Sequence, residues 1–516
     1  MKYLLHSSLT FSAPSRAILY DEAEKLVNDG HEVYILFCGK SLDMCFTNMS
    51  GDKKNCTFCT ANYLFYDRLN ISSKIRMISL KDFMTEEITL NSRKNKFLYN
   101  NINEIKRIKY KDVSIGLACL SSYVSYTRNL YPLIDGSFIA YFDNLLRNSA
   151  LQCDLISSVI DKLNPDHVYG YNGRFLDSRP AWEIAKNRKI PFSLLEAQYT
   201  FSYCNKIVFN NDTPHSIQSL NENFIQELWN NTNSDFNQKR DLAVEFFERR
   251  KNALPAGDKV YTINQKIGLI PENWDRSKKN IVIYTSSEDE FVAIGEEFEK
   301  YSIFPSQLTG IEEIVKHFIN DDGTRFYLRI HPNLADVRFS YHRKLYELSK
   351  YRNLTIIEPK SEVSSYSLID NADTVIVFGS TIGIEAAYWG KPVILLGGAV
   401  YYFLDSCYIP STKDELYKMI KADLNPKDKL GAYKLGLTYH DSIGVTCDRV
   451  DCNWKVYNLK LFGYSKKITL NNWERLFGSR ILFFVLRYIS YIPVKIYCRL
   501  TGKGSKYKIP VEEISD

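Results

Sequence analysis

Long apolar runs, a clean leader-like N-terminus and the marks of a nucleic-acid binder are scarce in this sequence, and each narrows what is expected of it. Its most apolar segment, ILFFVLRYISYIPVKIYCRL (481–500), is interrupted by Arg487 and Lys495. No run there reaches the ~20 apolar residues that a spanning helix needs. The N-terminal MKYLLHSSLTFSAPS has no clean apolar core, because His6 and the serines break it. A leader peptide is therefore not expected, and a cytoplasmic protein is. The net charge is only +6 over 516 residues. No aromatic-rich RNP run, zinc-finger spacing or helix-turn-helix pattern accompanies it, so nucleic acid is not an expected partner. In a reducing compartment the eleven cysteines are not a disulfide framework. Cys38, Cys45, Cys56 and Cys59 do fall close together and end in a C-x-x-C, which admits a four-thiolate zinc site. The first pair is seven residues apart rather than two to four, and Cys38 at a strand end also reads as core.

What is present is organised around DTVIVFGSTIGIEAAYWGKPVILLGG, residues 373–398. Thr374 to Phe378 is a short β-branched apolar run of the kind that fills a parallel sheet buried on both faces. Gly379-Ser380-Thr381 breaks it, and Ser380 or Thr381 can cap a helix from about Ile382 to Trp389. Gly390 and Pro392 stop that helix, and Val393 to Leu396 forms the next strand. Free amides beside two hydroxyls make an anion site at a strand's carboxyl end. Glu385, four residues after Thr381, shares their face and could accept the hydroxyls of a ribose. The plainer alternative is that the hydroxyls only cap and Glu385 only faces water. A second strand pattern, RFYLRIHPN (325–333), ends on His331-Pro332. Proline cannot continue a central strand, so His331 sits on the rim where open α/β sheets bind ligands. A third candidate rim is NIVIYTSSEDEF (280–291), which contributes Ser287.

The order SSEDEF, RIHPN, SSYSLID (364–370) and FGSTIGIEAAYWGKPVILLGG resembles the nucleotide-binding half of GT-B glycosyltransferases of bacterial capsule and lipopolysaccharide assembly. The pairing of His-Pro with Ser-Thr is similar to that of CMP-sugar-using sialyltransferases and Kdo transferases. The resemblance covers about Asn280 to Tyr402 well and the N-terminal half only loosely. It implies an α/β fold in which two Rossmann-like domains face a cleft, with the nucleotide-sugar donor on the C-terminal one. The implied donor-binding residues are Ser287, Arg329, His331, Gly379, Ser380, Thr381 and Glu385. His331 and the helix end would contact the phosphates, Glu385 the ribose, and no metal or other cofactor would be required. Sialyltransferases also carry an acidic D/E-D-G motif in the N-terminal domain. The D-D-G here, Asp321 to Gly323, lies in the other half and reads as a turn.

The N-terminal half begins with a strand, a helix and a GHEV turn into Val33 to Cys38, the β–α–β unit of an acceptor-side domain. Two later strand ends carry Asn172, Arg174 and Glu196. An inverting transfer needs a carboxylate to take the acceptor's proton. Glu196 is the candidate base and Arg174 a substrate clamp, with Asn172 beside them. An ordinary Glu196–Arg174 ion pair is an equal reading, and a retaining enzyme would need no such base.

Expected boundaries are 1–258 for the acceptor-side domain, 259–279 for a linker, 280–465 for the donor domain and 466–516 for an amphipathic tail. The tail, with its flanking lysines and arginines, fits a helix lying on an anionic membrane, or one packed back on the N-terminal domain. The basic run Ser92 to Lys111 reads as a solvated face, with anionic lipid or a charged glycan as the alternative. The expected function is glycosyl transfer from a nucleotide sugar to a glycan or lipid-linked glycan acceptor at the inner face of the cytoplasmic membrane. A related epimerase, a polyol-phosphate transferase or an inert scaffold are the alternatives.

Overall fold

A computed structural model describes the chain except for residues 9–12, 62, 64–70, 258–259, 338, 452–455, 462–463, 470–505 and 512–516. Strands and helices are numbered below in chain order.

The chain divides into two compact units. Among the described residues, unit 1 comprises Met1–Gln198, Ser202–Pro214 and those from Val445 onward, and unit 2 comprises Tyr199–Phe201 and His215–Gly444. The α/β class is as the sequence indicated, with a parallel sheet in unit 2 and, in unit 1, a sheet whose parallel core is extended by antiparallel strands.

In unit 1, β1 (Lys2–His6), β2 (Glu32–Phe37), β3 (Arg76–Ser79), β4 (His167–Tyr171), β5 (Phe192–Tyr199) and β6 (Tyr203–Asn210) belong to a nine-stranded sheet. The pairs β1–β2, β1–β4, β2–β3 and β4–β5 are parallel. Their cores are continuous apolar runs because helices cover both faces: Leu4, Leu5, Ile35 and Leu36 are at most 1% exposed. The helical layer includes α1 (Ala13–Asn28), α2 (Lys53–Ala61), α3 (Glu86–Lys94), α4 (Ile115–Thr127) and α5 (Gly136–Leu163). Asp135 caps α5 by accepting from the Phe138 amide at 2.8 Å.

Unit 2 is built on β7 (Lys279–Tyr284), β8 (Thr324–Arg329), β9 (Leu354–Ile357), β10 (Thr374–Val377) and β11 (Val393–Leu395). All pairs are parallel and the order is β11-β10-β7-β8-β9. The chain therefore leaves β7 towards one edge and later returns to β10 on the other side of β7. That is a topological switch point, where the loops diverge and leave a crevice at the carboxyl ends of the strands. Helices α6 (Phe236–Lys251), α7 (Ser365–Asn371), α8 (Ile382–Tyr388) and α9 (Leu430–Leu437) cover one face.

The observed boundaries differ from those expected. The segment from His215, including α6, belongs to unit 2, because Phe247 stacks on Tyr388 at 4.0 Å and Phe246 on Tyr439 at 4.4 Å. After Val445 the chain returns to unit 1, where β12 (Thr446–Asp451) pairs antiparallel with β6, followed by β13 (Val456–Leu461) and β14 (Tyr464–Thr469). A ladder partner over 200 residues away leaves no local mark in TCDRVD. Of the expected tail, residues 466–469 are part of β14, and the apolar stretch 481–500 lies outside the described residues. Residues 506–511 pack on unit 1: the Lys506 and Tyr507 amides both bond the Ser50 carbonyl at 3.0 Å. The D-D-G is a turn, with Asp321 accepting from the Gly323 amide and the Thr324 hydroxyl.

Candidate functional site

A cavity of about 60 Å³ opens at the switch point of unit 2. The end of β7 supplies Tyr284 and Thr285, the end of β8 supplies Arg329 and His331, and the turn after β10 supplies Ser380 and Thr381. Arg329 decides its electrostatics. The side chain is 1% exposed and donates to the carbonyls of Glu358 (2.9 Å) and Ser361 (3.2 Å), while its Nε has no partner. Burial lowers its pKa to about 10, so it stays charged at neutral pH, and no carboxylate offsets it among the described residues. A buried cation without a counter-charge is costly unless an anion completes it.

His331 extends this surface. Its amide donates to Thr285 Oγ1 at 2.8 Å, and its Nδ1 accepts from the Asn333 amide at 3.1 Å. An accepting Nδ1 leaves the neutral ring's proton on Nε2, which makes that nitrogen a donor. The Tyr261 ring meets the imidazole edge-on at 5.0 Å. Pro332 ends the strand and opens a short helical turn, as the HPN motif indicated.

Neither Ser380 nor Thr381 caps α8: Thr381 occupies the cap position, yet its side chain makes no capping bond. Both residues line the cavity at the start of α8, where the Gly383 amide donates to the Ser380 carbonyl at 3.1 Å. Gly379 makes the turn possible. Its φ is +115°, and a Cβ there would stand 2.6 Å from the Gly398 carbonyl oxygen.

Two expected ligands are placed differently. Glu385 is fully buried, with Oε1 taken by Arg250 Nε (3.2 Å) and Nη2 (3.0 Å) and Oε2 by the Tyr366 hydroxyl. It does not line the cavity, so in this structure the carboxylate is not open to a ribose. The four-residue spacing put it on the right helix face, but α6 packs over that face. Ser287 is also buried, accepting from Asn333 Nδ2 (3.1 Å) and donating to Asp289 (2.6 Å). It braces the HPN turn from behind instead of meeting a ligand. Conversely, sequence reasoning missed Arg250, Tyr366, Tyr284 and Gln265, all on the cavity wall. Only the strand-end position of Tyr284 could have indicated any of them.

In unit 1, Asn172, Arg174 and Glu196 do come together. Asn172, at φ +61° after β4, donates through Nδ2 to Glu196 Oε2 at 2.7 Å, and its Oδ1 accepts from the Arg174 amide at 3.3 Å. The Arg174 guanidinium lies 4.6 Å from the Phe175 ring centre. Burial pushes the Glu196 carboxyl pKa up, against the pull of hydrogen bonds from Tyr171 and Asn172. A separate cavity in unit 1 is lined by Cys38, Cys45, Cys56 and Cys59 beside His6. The zinc arrangement is not formed: among the described residues no three Cys, His, Asp or Glu side chains are grouped to hold a metal ion. Burial raises the Cys38, Cys45 and Cys56 thiol pKa values.

Residues 261–405 match the model of a family described as capsule polysaccharide biosynthesis protein. The matched residues lie in unit 2. No curated protein matches the chain. Among solved structures, the β-Kdo 2,4-transferase KpsC of Thermosulfurimonas dismutans is 12% identical with a TM-score of 0.33, over 61% of this chain and 88% of that one. Its β-Kdo 2,7-transferase counterpart is 16% identical with a TM-score of 0.31, over 61% and 86%. The UDP-GlcNAc 2-epimerase of Neisseria meningitidis, bound to UDP-GlcNAc, is 13% identical with a TM-score of 0.23, over 84% and 98%.

Proposed function

We propose that the chain is a glycosyltransferase of surface-polysaccharide assembly that binds a nucleotide-sugar donor, with its phosphate in the unit 2 cavity. The observation that carries this reading is the buried, carboxylate-free Arg329 at the sheet's switch point, beside Ser380, Thr381 and the Nε2–H of His331. Departure of the nucleotide leaves negative charge on the phosphate oxygens. A fixed guanidinium, an imidazole N–H and two hydroxyls oppose that charge without having to reorganise. The protein itself thus supplies the positive field, and catalysis is expected to survive a chelator.

The acceptor, a glycan or lipid-linked glycan, gives its hydroxyl proton to Glu196, whose burial-raised pKa moves it towards the neutral range where a general base works best. Arg174 and Asn172 orient the acceptor or the base. The match of residues 261–405 to the capsule family supports a polysaccharide product, and the resemblance of the His-Pro and Ser-Thr motifs makes CMP-sugars the first donors to try. The reaction belongs at the inner face of the cytoplasmic membrane, where lipid-linked acceptors are available. No helix among the described residues is long and apolar enough to cross that membrane.

The experiment is nucleotide release by the purified chain from CMP-, UDP- and GDP-sugars, with and without capsular oligosaccharide, in EDTA. Acceptor-stimulated release from one donor, abolished in Glu196→Gln and strongly reduced in His331→Ala, is the expected result. Tight nucleotide binding without release from any donor would point to an inert scaffold instead.

A further inference from the structure

We propose that unit 1 docks on an anionic lipid bilayer through the end of its helical layer where α4 stops and α5 begins. Five large side chains are exposed there: Leu98 (93%), Leu133 (75%), Tyr126 (51%), Tyr131 (45%) and Ile139 (37%). The chain gathers them by identifiable contacts. Tyr126 lies in the last turn of α4, and Tyr123, one turn earlier, sets its ring 5.3 Å from Phe138 in the first turn of α5. Tyr131 and Leu133 lie in the connection between these two helices. The segment after α3 is tied to the same end, since the Tyr99 hydroxyl meets the Ile139 carbonyl (3.4 Å) and Asp143 (3.2 Å), and Arg147 donates to the Asn95 carbonyl (3.2 Å). The Tyr99 bonds bring the segment that carries Leu98 to the first turns of α5. Single exposed apolar residues are ordinary, but a group of this kind on one end marks an interaction surface.

The charges select the partner. Lys94 and Lys96 are exposed beside Leu98 and form no ion pair among the described residues. Residues 91–111 hold seven Lys and Arg against one Glu. Of the two acids at this end, Asp143 pairs with Arg147 at 3.1 Å, while Asp135 caps α5 and keeps its charge against the lysines' excess. Leucine and isoleucine for the acyl boundary, tyrosines for the headgroup level and unpaired lysines for anionic lipid are the composition of an interfacial contact. The Tyr123 hydroxyl also donates to the Pro510 carbonyl at 2.6 Å, so residues 506–511 run beside α4.

Vesicle co-sedimentation of the full chain tests this, with phosphatidylcholine alone and with phosphatidylcholine containing phosphatidylglycerol. The variants are Leu98→Ser with Leu133→Ser, and Lys94→Glu with Lys96→Glu, all at exposed positions, so unchanged melting temperatures are expected. Wild type should bind the anionic vesicles, and each double variant about tenfold more weakly. Wild-type binding in both variants would assign membrane contact to the C-terminal segment alone and overturn the proposal. So would a dimer that dissociates in the leucine variant without a change in vesicle binding, because the surface would then hold a second copy of the chain. Nucleotide binding should be unaffected by either variant, so this outcome and that of the transferase reading are separable.

Discussion

Arg329 and Glu385 show at the residue scale how buried charge is handled in unit 2. Glu385 is neutralised by Arg250 and Tyr366, whereas Arg329 has only backbone carbonyls. Removing one partner of a buried pair strands the other, at a cost of about 3–5 kcal/mol. Arg250→Met should therefore destabilise the chain by that order in urea unfolding, and adding Glu385→Leu should recover much of it. Equal stability of the two variants would contradict the pairing. Gly379→Ala forces a side chain into a positive-φ turn against the Gly398 carbonyl, with an expected cost of about 1–3 kcal/mol and loss of the Ser380 and Thr381 placement. His6 gives a pH signature. It is buried in unit 1, and burial lowers its pKa to about 4 from 6.5. Below pH 6.5 the unfolded chain takes up a proton that the folded chain refuses until about 4. Stability should thus fall as pH drops through that window, by about 3 kcal/mol in all. Wild type should lose this amount relative to His6→Gln between pH 7 and 4, and parallel profiles would exclude the effect.

At the element scale, α6 carries Arg250 to the cavity and holds its place by aromatic packing. Phe247 is fully buried against Tyr388, so Phe247→Ala should cost about 3–5 kcal/mol. It should also weaken nucleotide binding, which a purely peripheral helix would not do. This element marks where the sequence stopped being informative. The strand-end motifs were legible because proline after His331 and glycine before Ser380 punctuate apolar runs whatever surrounds them. The helix face of Glu385 was legible too, but not what covers it. Arg250 lies 135 residues away in sequence on a helix whose ERRK ending reads as a solvated face. Ser287 was read correctly as a strand-end residue, yet hydrogen bonds to Asn333 and Asp289 turned it into support for the neighbouring turn.

At the scale of the whole molecule, the two-sheet plan was implied by the resemblance of the strand-end motifs, while the boundaries were not legible. Chain crossings near Pro214 and Val445 are set by ladder pairing and ring stacking between distant segments, and no composition change marks them. The account rests on unit 2 binding a nucleotide phosphate through Arg329, His331, Ser380 and Thr381. Calorimetric titration of wild type and His331→Ala with CMP, UDP and GDP tests it most directly. Loss of one charge-assisted hydrogen bond is worth about 1.5–3 kcal/mol. One nucleotide should bind wild type and bind His331→Ala at least about tenfold more weakly, with the melting temperature of the free protein unchanged. Equal affinity in both proteins, or no binding of any nucleotide to wild type, would contradict the site.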